Sequence, residues 1–87
     1  MPTVHIPSLL RSISAGRPEI EVSGRTLRQV IASLDAVCPG MQDRLLDDGA
    51  LRPELSFAVD GEVTTLGLLQ PVGEHSEVLI LPAIGGG

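Results

Sequence analysis

The sequence contains no tryptophan, no tyrosine and no lysine, and it has one phenylalanine, Phe57, and one cysteine, Cys38. Because aromatic side chains are so scarce, the core has to be built from leucine, isoleucine, valine and alanine. A single cysteine excludes an internal disulfide and a metal site made of several cysteines. No apolar run approaches the roughly 20 residues needed to cross a bilayer, and residues 1–10 lack the pattern of a signal peptide. We therefore expect a cytoplasmic protein that does not associate with membranes.

The charge is unbalanced towards the acidic side. The chain has eleven acidic residues and six arginines, which gives a formal net charge of −5. Nucleic acids and anionic lipids are bound by clustered cations, whereas the six arginines are scattered along the chain without a basic run. The composition therefore argues against a nucleic-acid partner. A protein partner with a basic surface suits this chain better.

What the sequence does contain indicates one small folded domain. A chain of 87 residues is short for more than one domain, and its 43% hydrophobic and 20% charged residues are typical of a globular protein. We predict a domain over residues 1–82, followed by a flexible glycine tail over residues 83–87.

The first part of the chain predicts a β-hairpin and then one main helix. Residues 3–6 and 19–22 alternate polar and apolar, which is typical of half-buried strands. Thr26 can cap a helix, and Gln29 completes a capping box. Apolar residues then recur with helical spacing until Pro39 and Gly40 end the helix. The predicted apolar stripe is Leu27, Val30, Ile31, Leu34 and Val37.

The second part predicts a short helical turn at residues 41–46, three further strands, and an irregular segment at residues 66–72. The strands are expected at residues 55–59, 62–64 and 78–81, with Asp60-Gly61 as a tight turn. The last strand is apolar at successive positions, which is typical of a central strand. A helix with one apolar stripe on a mixed sheet gives a two-layer α+β fold. If the last strand pairs with the first in the middle of the sheet, this fold is a β-grasp.

The chain ends in three glycines, within Leu81-Pro82-Ala83-Ile84-Gly85-Gly86-Gly87. A glycine stretch carries no side chains, so it can pass through a channel too narrow for other residues. Five residues beyond Pro82 reach roughly 17 Å when extended, enough to carry a terminal carboxylate into a partner's active site. The alternative is a frayed terminus without function, and tail composition alone favours neither.

This tail, following an apolar strand, resembles the end of the MoaD/ThiS family of ubiquitin-like sulfur carriers. Residues 4–11, the Thr26-Leu27 helix start and residues 79–83 also resemble that family, and within it the cysteine-forming type. The likeness spans nearly the whole chain and is strong in the last ten residues. It departs at residues 73–77, where the family often has a Gly-Asp-acidic turn.

The resemblance implies a carrier protein that is not itself an enzyme and binds no cofactor. A MoeB/ThiF-like activating enzyme would use ATP and Mg²⁺ to adenylate the carboxylate of Gly87. A rhodanese-type donor or sulfide would then leave a thiocarboxylate, which a downstream synthase consumes. Gly85 and Gly86 would thread the partner's active site, and the free protein would be a monomer. The product remains open between cysteine, a molybdenum cofactor, thiamin thiazole and a secondary metabolite.

A protein modifier, joined through Gly87 to a target lysine, is the alternative function. With no lysine of its own, the chain offers only its N-terminal amine as an acceptor, so we expect no polymers of it. No nucleophile–base pair can be assembled for catalysis. His5 and His75 lie too far apart in sequence to suggest a metal site, and Cys38 is typical of a small buried hydrophobe.

The last strand also suggests where a partner docks. Its successive side chains point to opposite faces, and the helix can cover only one of them. An uncovered apolar set could form a docking patch, with Phe57 or Ala58 beside it, unless residues 40–55 fold over that face. The docking residues predicted in this way are Phe57, Leu79, Leu81 and Ile84.

Overall fold

The computed structural model describes residues 1–82 of the chain. The predicted site residues Ile84, Gly85, Gly86 and Gly87 lie outside the described residues. Within this range the chain forms two α-helices, α1 (Leu27–Val37) and α2 (Met41–Leu45), and two 3₁₀ turns, at Ser8–Leu10 and Gly67–Leu69. The strands are β1 (Thr3–His5), β2 (Glu19–Glu21), β3 (Leu46–Asp47), β4 (Ala50–Leu51), β5 (Leu55–Val59), β6 (Glu62–Val63) and β7 (Glu77–Pro82).

Five strands form one mixed sheet in the order β2-β1-β7-β5-β6. The first and last strands, β1 and β7, are parallel neighbours in its centre, and the other pairs are antiparallel. This is the predicted β-grasp. It places Val78 and Ile80 of the central strand in the core, at 1% and 3% exposure, as their apolar character predicted.

Helix α1 begins as its capping residues predict. The hydroxyl of Thr26 accepts a hydrogen bond from the Gln29 backbone N–H at 3.3 Å, and the Gln29 side chain accepts one from the Arg25 N–H at 2.8 Å. Four of the five predicted stripe residues are fully buried. Val37 is the exception at 44% exposure, because it is the last helical residue and the chain turns away there. Its neighbour Cys38 takes the buried position instead, as expected for a small hydrophobe.

The connection from α1 to α2 depends on Asp35, a residue of α1. Its carboxylate accepts hydrogen bonds from the backbone N–H groups of Gly40 at 3.2 Å and Gln42 at 3.0 Å. These bonds satisfy a donor at the start of α2, which has no cap of its own. The chain therefore folds back under α1, and Met41 and Leu45 enter the core.

Two short elements differ from the sequence predictions. The helical turn expected over residues 41–46 ends at Leu45, and β3 and β4 form a small hairpin around Asp48 and Gly49, both with positive φ. The segment expected to be irregular at 66–72 contains the 3₁₀ turn at Gly67–Leu69. Neither helix in the part of the chain described is long and apolar enough to span a bilayer.

Candidate docking face and chain exit

Strand β7 carries the chain to Pro82, the last described residue, at one end of the sheet. It pairs with β1 as far as Leu79 and with β5 as far as Pro82, which lies opposite Leu55. Hydrogen-bonded neighbours on both sides fix the position and direction of β7 within the domain. The predicted tail residues Gly85, Gly86 and Gly87 lie outside the described range, and β7 is the described strand that precedes them in sequence.

One face of the sheet is covered by α1, and we call it the helix side. Here Phe57 lies opposite Ile80, and Val59 lies opposite Val78. All four side chains belong to the main core cluster and are at most 6% exposed. Phe57 therefore does not reach the uncovered face, and its assignment to the docking patch is wrong. Its place in the strand, opposite Ile80, makes it a core residue.

The other face of the sheet, which we call the open face, carries the alternate side chains of the same strands. Across the two central strands, Ala58 lies opposite Leu79 and Ser56 lies opposite Leu81. Val63 of β6 extends the first of these rows beyond Ala58. Leu81 is 36% exposed and Val63 is 61% exposed, whereas Ala58 is buried without belonging to the core cluster. Leu79 and Leu81 thus form the apolar patch that the alternation of β7 predicted, with Ala58 beside it rather than Phe57.

The alternative, that residues 40–55 fold over this patch, is not what the structure contains. Met41 and Leu45 lie in the same core cluster as Phe57, on the helix side. Leu51 and Leu55 are half-buried against that cluster as well. The apolar side chains of this segment are therefore committed to the face opposite the patch.

The open face also carries a cluster of charged groups that the sequence analysis did not identify. The Nε2–H of His5 donates a 2.8 Å hydrogen bond to the Glu77 carboxylate, and the Nδ1 of His5 lies 3.7 Å from the Glu19 carboxylate. The strand register explains the arrangement, because Glu19 and Leu79 flank His5 directly on either side. His5 and Glu19 were predicted as polar positions of alternating strands, but the last strand was predicted to begin at residue 78, so Glu77 lay outside the predicted sheet.

The start of β7 is held by Asp60, which lies in the turn between β5 and β6. Its carboxylate accepts hydrogen bonds from the Ser76 hydroxyl at 2.7 Å and from the Glu77 backbone N–H at 2.9 Å. Both bonds stabilise the ionised form and so lower the pKa of Asp60, the Ser76 bond by more than the Glu77 bond. Ser76 also accepts a bond from the Gly73 N–H at 2.8 Å. The turn at residues 73–77 is thus tied to the sheet through Asp60.

Two further features of the described residues concern metal binding and the single cysteine. Within residues 1–82, no group of three or more histidine, cysteine or acidic side chains is placed to hold a metal ion. Cys38 is buried, with its sulfur 3.5 Å from the Arg17 guanidinium. What this arrangement can do is present an apolar patch and carboxylates to a partner, next to the strand along which the chain leaves the domain.

The chain is similar over nearly its whole length to several known proteins. The sequence model of the ThiS family matches residues 4–87. The sulfur carrier protein CysO of Mycobacterium tuberculosis is 36% identical over 90 residues, covering 98% of this chain and 97% of that protein. The crystal structure of Mycobacterium tuberculosis CysO, described as an antigen, matches with a TM-score of 0.90 at 32% identity, over 97% of this chain and all of that one. A chain of the Amycolatopsis orientalis BexX/CysO complex matches with a TM-score of 0.94 at 29% identity, over the full length of both.

Proposed function

The chain belongs to the ThiS family, and we propose that it is a sulfur carrier protein that works through the carboxylate of Gly87. The observation that carries the proposal is that the family match extends to Gly87 on a domain whose central strand leads directly towards that end. The 36% identity to a sulfur carrier protein over nearly the full length supports it. In this proposal the other enzymes bind the domain and use its glycine end as their substrate.

The chemistry that we propose proceeds in two steps. A carboxylate oxygen of Gly87 attacks the α-phosphorus of ATP, and pyrophosphate leaves, so that the carboxyl carbon gains a good leaving group. Hydrosulfide then attacks that carbon, and AMP departs with the bonding electron pair to leave a thiocarboxylate. A persulfide donor would serve equally if a thiol reduces the acyl disulfide formed first. The partner enzyme supplies Mg²⁺ and the groups that stabilise the transferred charge, and this chain supplies a positioned terminus.

The partners in this proposal are proteins. A MoeB/ThiF-like activating enzyme carries out the first step, and a synthase consumes the sulfur. One of the similar structures is a BexX/CysO complex, which supports the idea that this fold engages a second protein. The need for ATP favours the cytoplasm as the place of action.

We propose the apolar patch of the open face as the surface on which these enzymes dock. Leu79 and Leu81 lie on the strand that leads to the glycine end, so a partner seated there would also receive the tail. Ile84 follows in sequence and remains a proposed contact outside the described residues. A patch of this kind on a small domain is a common site of protein binding.

The test of carrier function is ATP–pyrophosphate exchange with a MoeB/ThiF-like enzyme taken from the same genome. Wild-type chain should stimulate exchange, and a chain lacking Gly87 should not, while its thermal midpoint stays unchanged. Exchange that persists without Gly87 would contradict the proposal. Recovery of the chain joined to a lysine of another protein, with no thiocarboxylate formed, would instead support the modifier function.

The test of the docking patch compares substitutions on the two faces of β7. Leu81→Asp places a charge on the open face, so it should weaken binding of the activating enzyme about tenfold or more with little loss of stability. Ile80→Asp places the same charge in the core and should unfold the domain. Normal enzyme binding by a folded Leu81→Asp variant would rule out this patch.

A further inference from the structure

The charges of the sheet are distributed unequally between the open face and the rest of the surface. None of the five strands contains an arginine, so the six arginines lie outside the sheet. Three glutamates point to the open face, Glu19 and Glu21 from β2 and Glu77 from β7, since each alternates with a core residue. His5 is the one open-face side chain that can carry a positive charge among the described strands. The described strands therefore place three carboxylates and one imidazole on the open face.

These carboxylates occupy one part of the face and the apolar side chains another. Glu21, Thr3 and Glu77 form one row across β2, β1 and β7. Leu81 lies two rows further along β7, close to the exit of the chain. The face thus changes from carboxylates at the amino end of β7 to leucines at its carboxyl end.

His5 holds two of the carboxylates together without neutralising the whole cluster. Its ring lies between Glu19 and Glu77, which come from strands on either side of β1. The side chains of Glu19 and Glu77 remain 60% and 63% exposed, so both can still meet a group from outside. Within residues 1–82, no arginine forms an ion pair with any of the three glutamates.

The identity of the occupant follows from this pattern of charge. Phosphate-bearing surfaces such as nucleic acids and anionic membranes would be repelled by three carboxylates. A second copy of the chain, related by a two-fold axis through this face, would bring the same carboxylates towards one another. A protein with cationic side chains beside an apolar patch would meet both parts of the face favourably.

We propose that the open face recognises a protein surface on which lysine or arginine side chains border an apolar patch. The cationic groups pair with Glu19, Glu21 and Glu77, and the apolar groups cover Leu79 and Leu81. Since the two parts of the face differ, the partner can dock in one direction only, with its cationic side away from the chain exit. This docking direction rests on the proposed function, because it points the glycine end at the partner's active site. Recognition of the cationic and apolar surface does not rest on that function.

The experiment uses two synthetic amphipathic helical peptides as probes of the full chain. One has a leucine face bordered by arginines, and in its twin glutamates replace the arginines. Binding is followed by NMR through the amide shifts of each residue, at low and at high salt. We expect the arginine peptide to shift amides of β1, β2 and β7, with affinity that falls as salt increases, and the glutamate peptide to bind at least about tenfold more weakly.

Two matched triple variants distinguish the effect of charge on the open face from the effect of the net charge of the whole chain. Glu19→Gln, Glu21→Gln and Glu77→Gln together remove three charges from the open face. Glu54→Gln, Glu62→Gln and Glu74→Gln together remove three charges elsewhere. The first combination should weaken binding of the arginine peptide about tenfold. The second combination should weaken it less than about twofold. A thermal melt of each variant shows that it is folded.

Three results would overturn the inference. They are equal loss of affinity in both triple variants, equal binding of the two peptides, and binding that is absent or lies away from the open face. None of these results bears on sulfur chemistry, because the peptides undergo no reaction. Failure of pyrophosphate exchange would, conversely, end the carrier proposal and leave the recognition measured here intact.

Discussion

Ala58 and Leu79 lie directly opposite each other on β5 and β7, on the face of the sheet that the helix leaves uncovered. A neighbouring residue on each strand is buried beneath the helix: Phe57, which precedes Ala58, and Ile80, which follows Leu79. A single strand therefore serves two purposes. One set of its side chains holds the domain together, and the other remains available to a partner.

This division predicts opposite outcomes for two truncations of large apolar side chains. Phe57→Ala should reduce the free energy of unfolding by about 3–5 kcal/mol, because it leaves a cavity in the core. Leu81→Ala should reduce it by no more than about 1 kcal/mol. Urea unfolding of the two variants measures both values. Similar losses from the two would show that the faces are not divided as described.

A second prediction concerns acid stability and the carboxylate of Asp60. Its pKa is lowered in the folded state, chiefly by the Ser76 hydroxyl and then by the Glu77 N–H. The stabilisation is therefore present above the unfolded value of about 3.9 and is lost as the pH falls through the lower folded value. Asp60→Asn should be less stable than wild type at neutral pH, with a difference that shrinks on acidification.

Urea unfolding of both proteins across a pH series measures that difference. Glu62→Gln serves as the control, because Glu62 is an exposed carboxylate that forms no ion pair within residues 1–82. A constant difference between wild type and Asp60→Asn at every pH would show that the charge of Asp60 does not contribute to stability.

A third prediction concerns Gly24, where the chain passes close to α1. A methyl group added there would lie 2.7 Å from the Val30 backbone nitrogen and 2.8 Å from its Cγ2, and φ is +153°. Gly24→Ala should therefore cost about 1–3 kcal/mol. Gly49→Ala is the control, because its φ of +81° is also unfavourable but the space around it is open. Its cost should be about 1 kcal/mol. Equal costs from the two would exclude a steric contribution from Val30.

Much of the fold could be predicted because local signals were consistent with one another. Thr26 and Gln29 marked the start of α1, and the run of apolar residues at 78–81 identified a central strand. Both signals depend on neighbours within a few residues. The β-grasp followed once the last strand was paired with the first.

What the sequence did not predict depends on contacts between distant residues. Asp35 caps α2 from another helix, and His5 meets Glu77 across 72 positions of sequence. Phe57 was assigned to the wrong face because the choice between it and Ala58 depends on the register of β5 against β7. In each case the residue type was compatible with several neighbours, and only the tertiary structure selects one.

The proposed function requires that the carboxyl group of Gly87 becomes a thiocarboxylate. The most direct measurement is the intact mass of the chain after incubation with a MoeB/ThiF-like enzyme, MgATP and sulfide. We predict a mass increase equal to the replacement of one oxygen by one sulfur, located in the C-terminal peptide. The increase should disappear when the thiocarboxylate is hydrolysed back to the carboxylate. An unchanged mass, under conditions in which the same enzyme converts its own established carrier, would contradict the account.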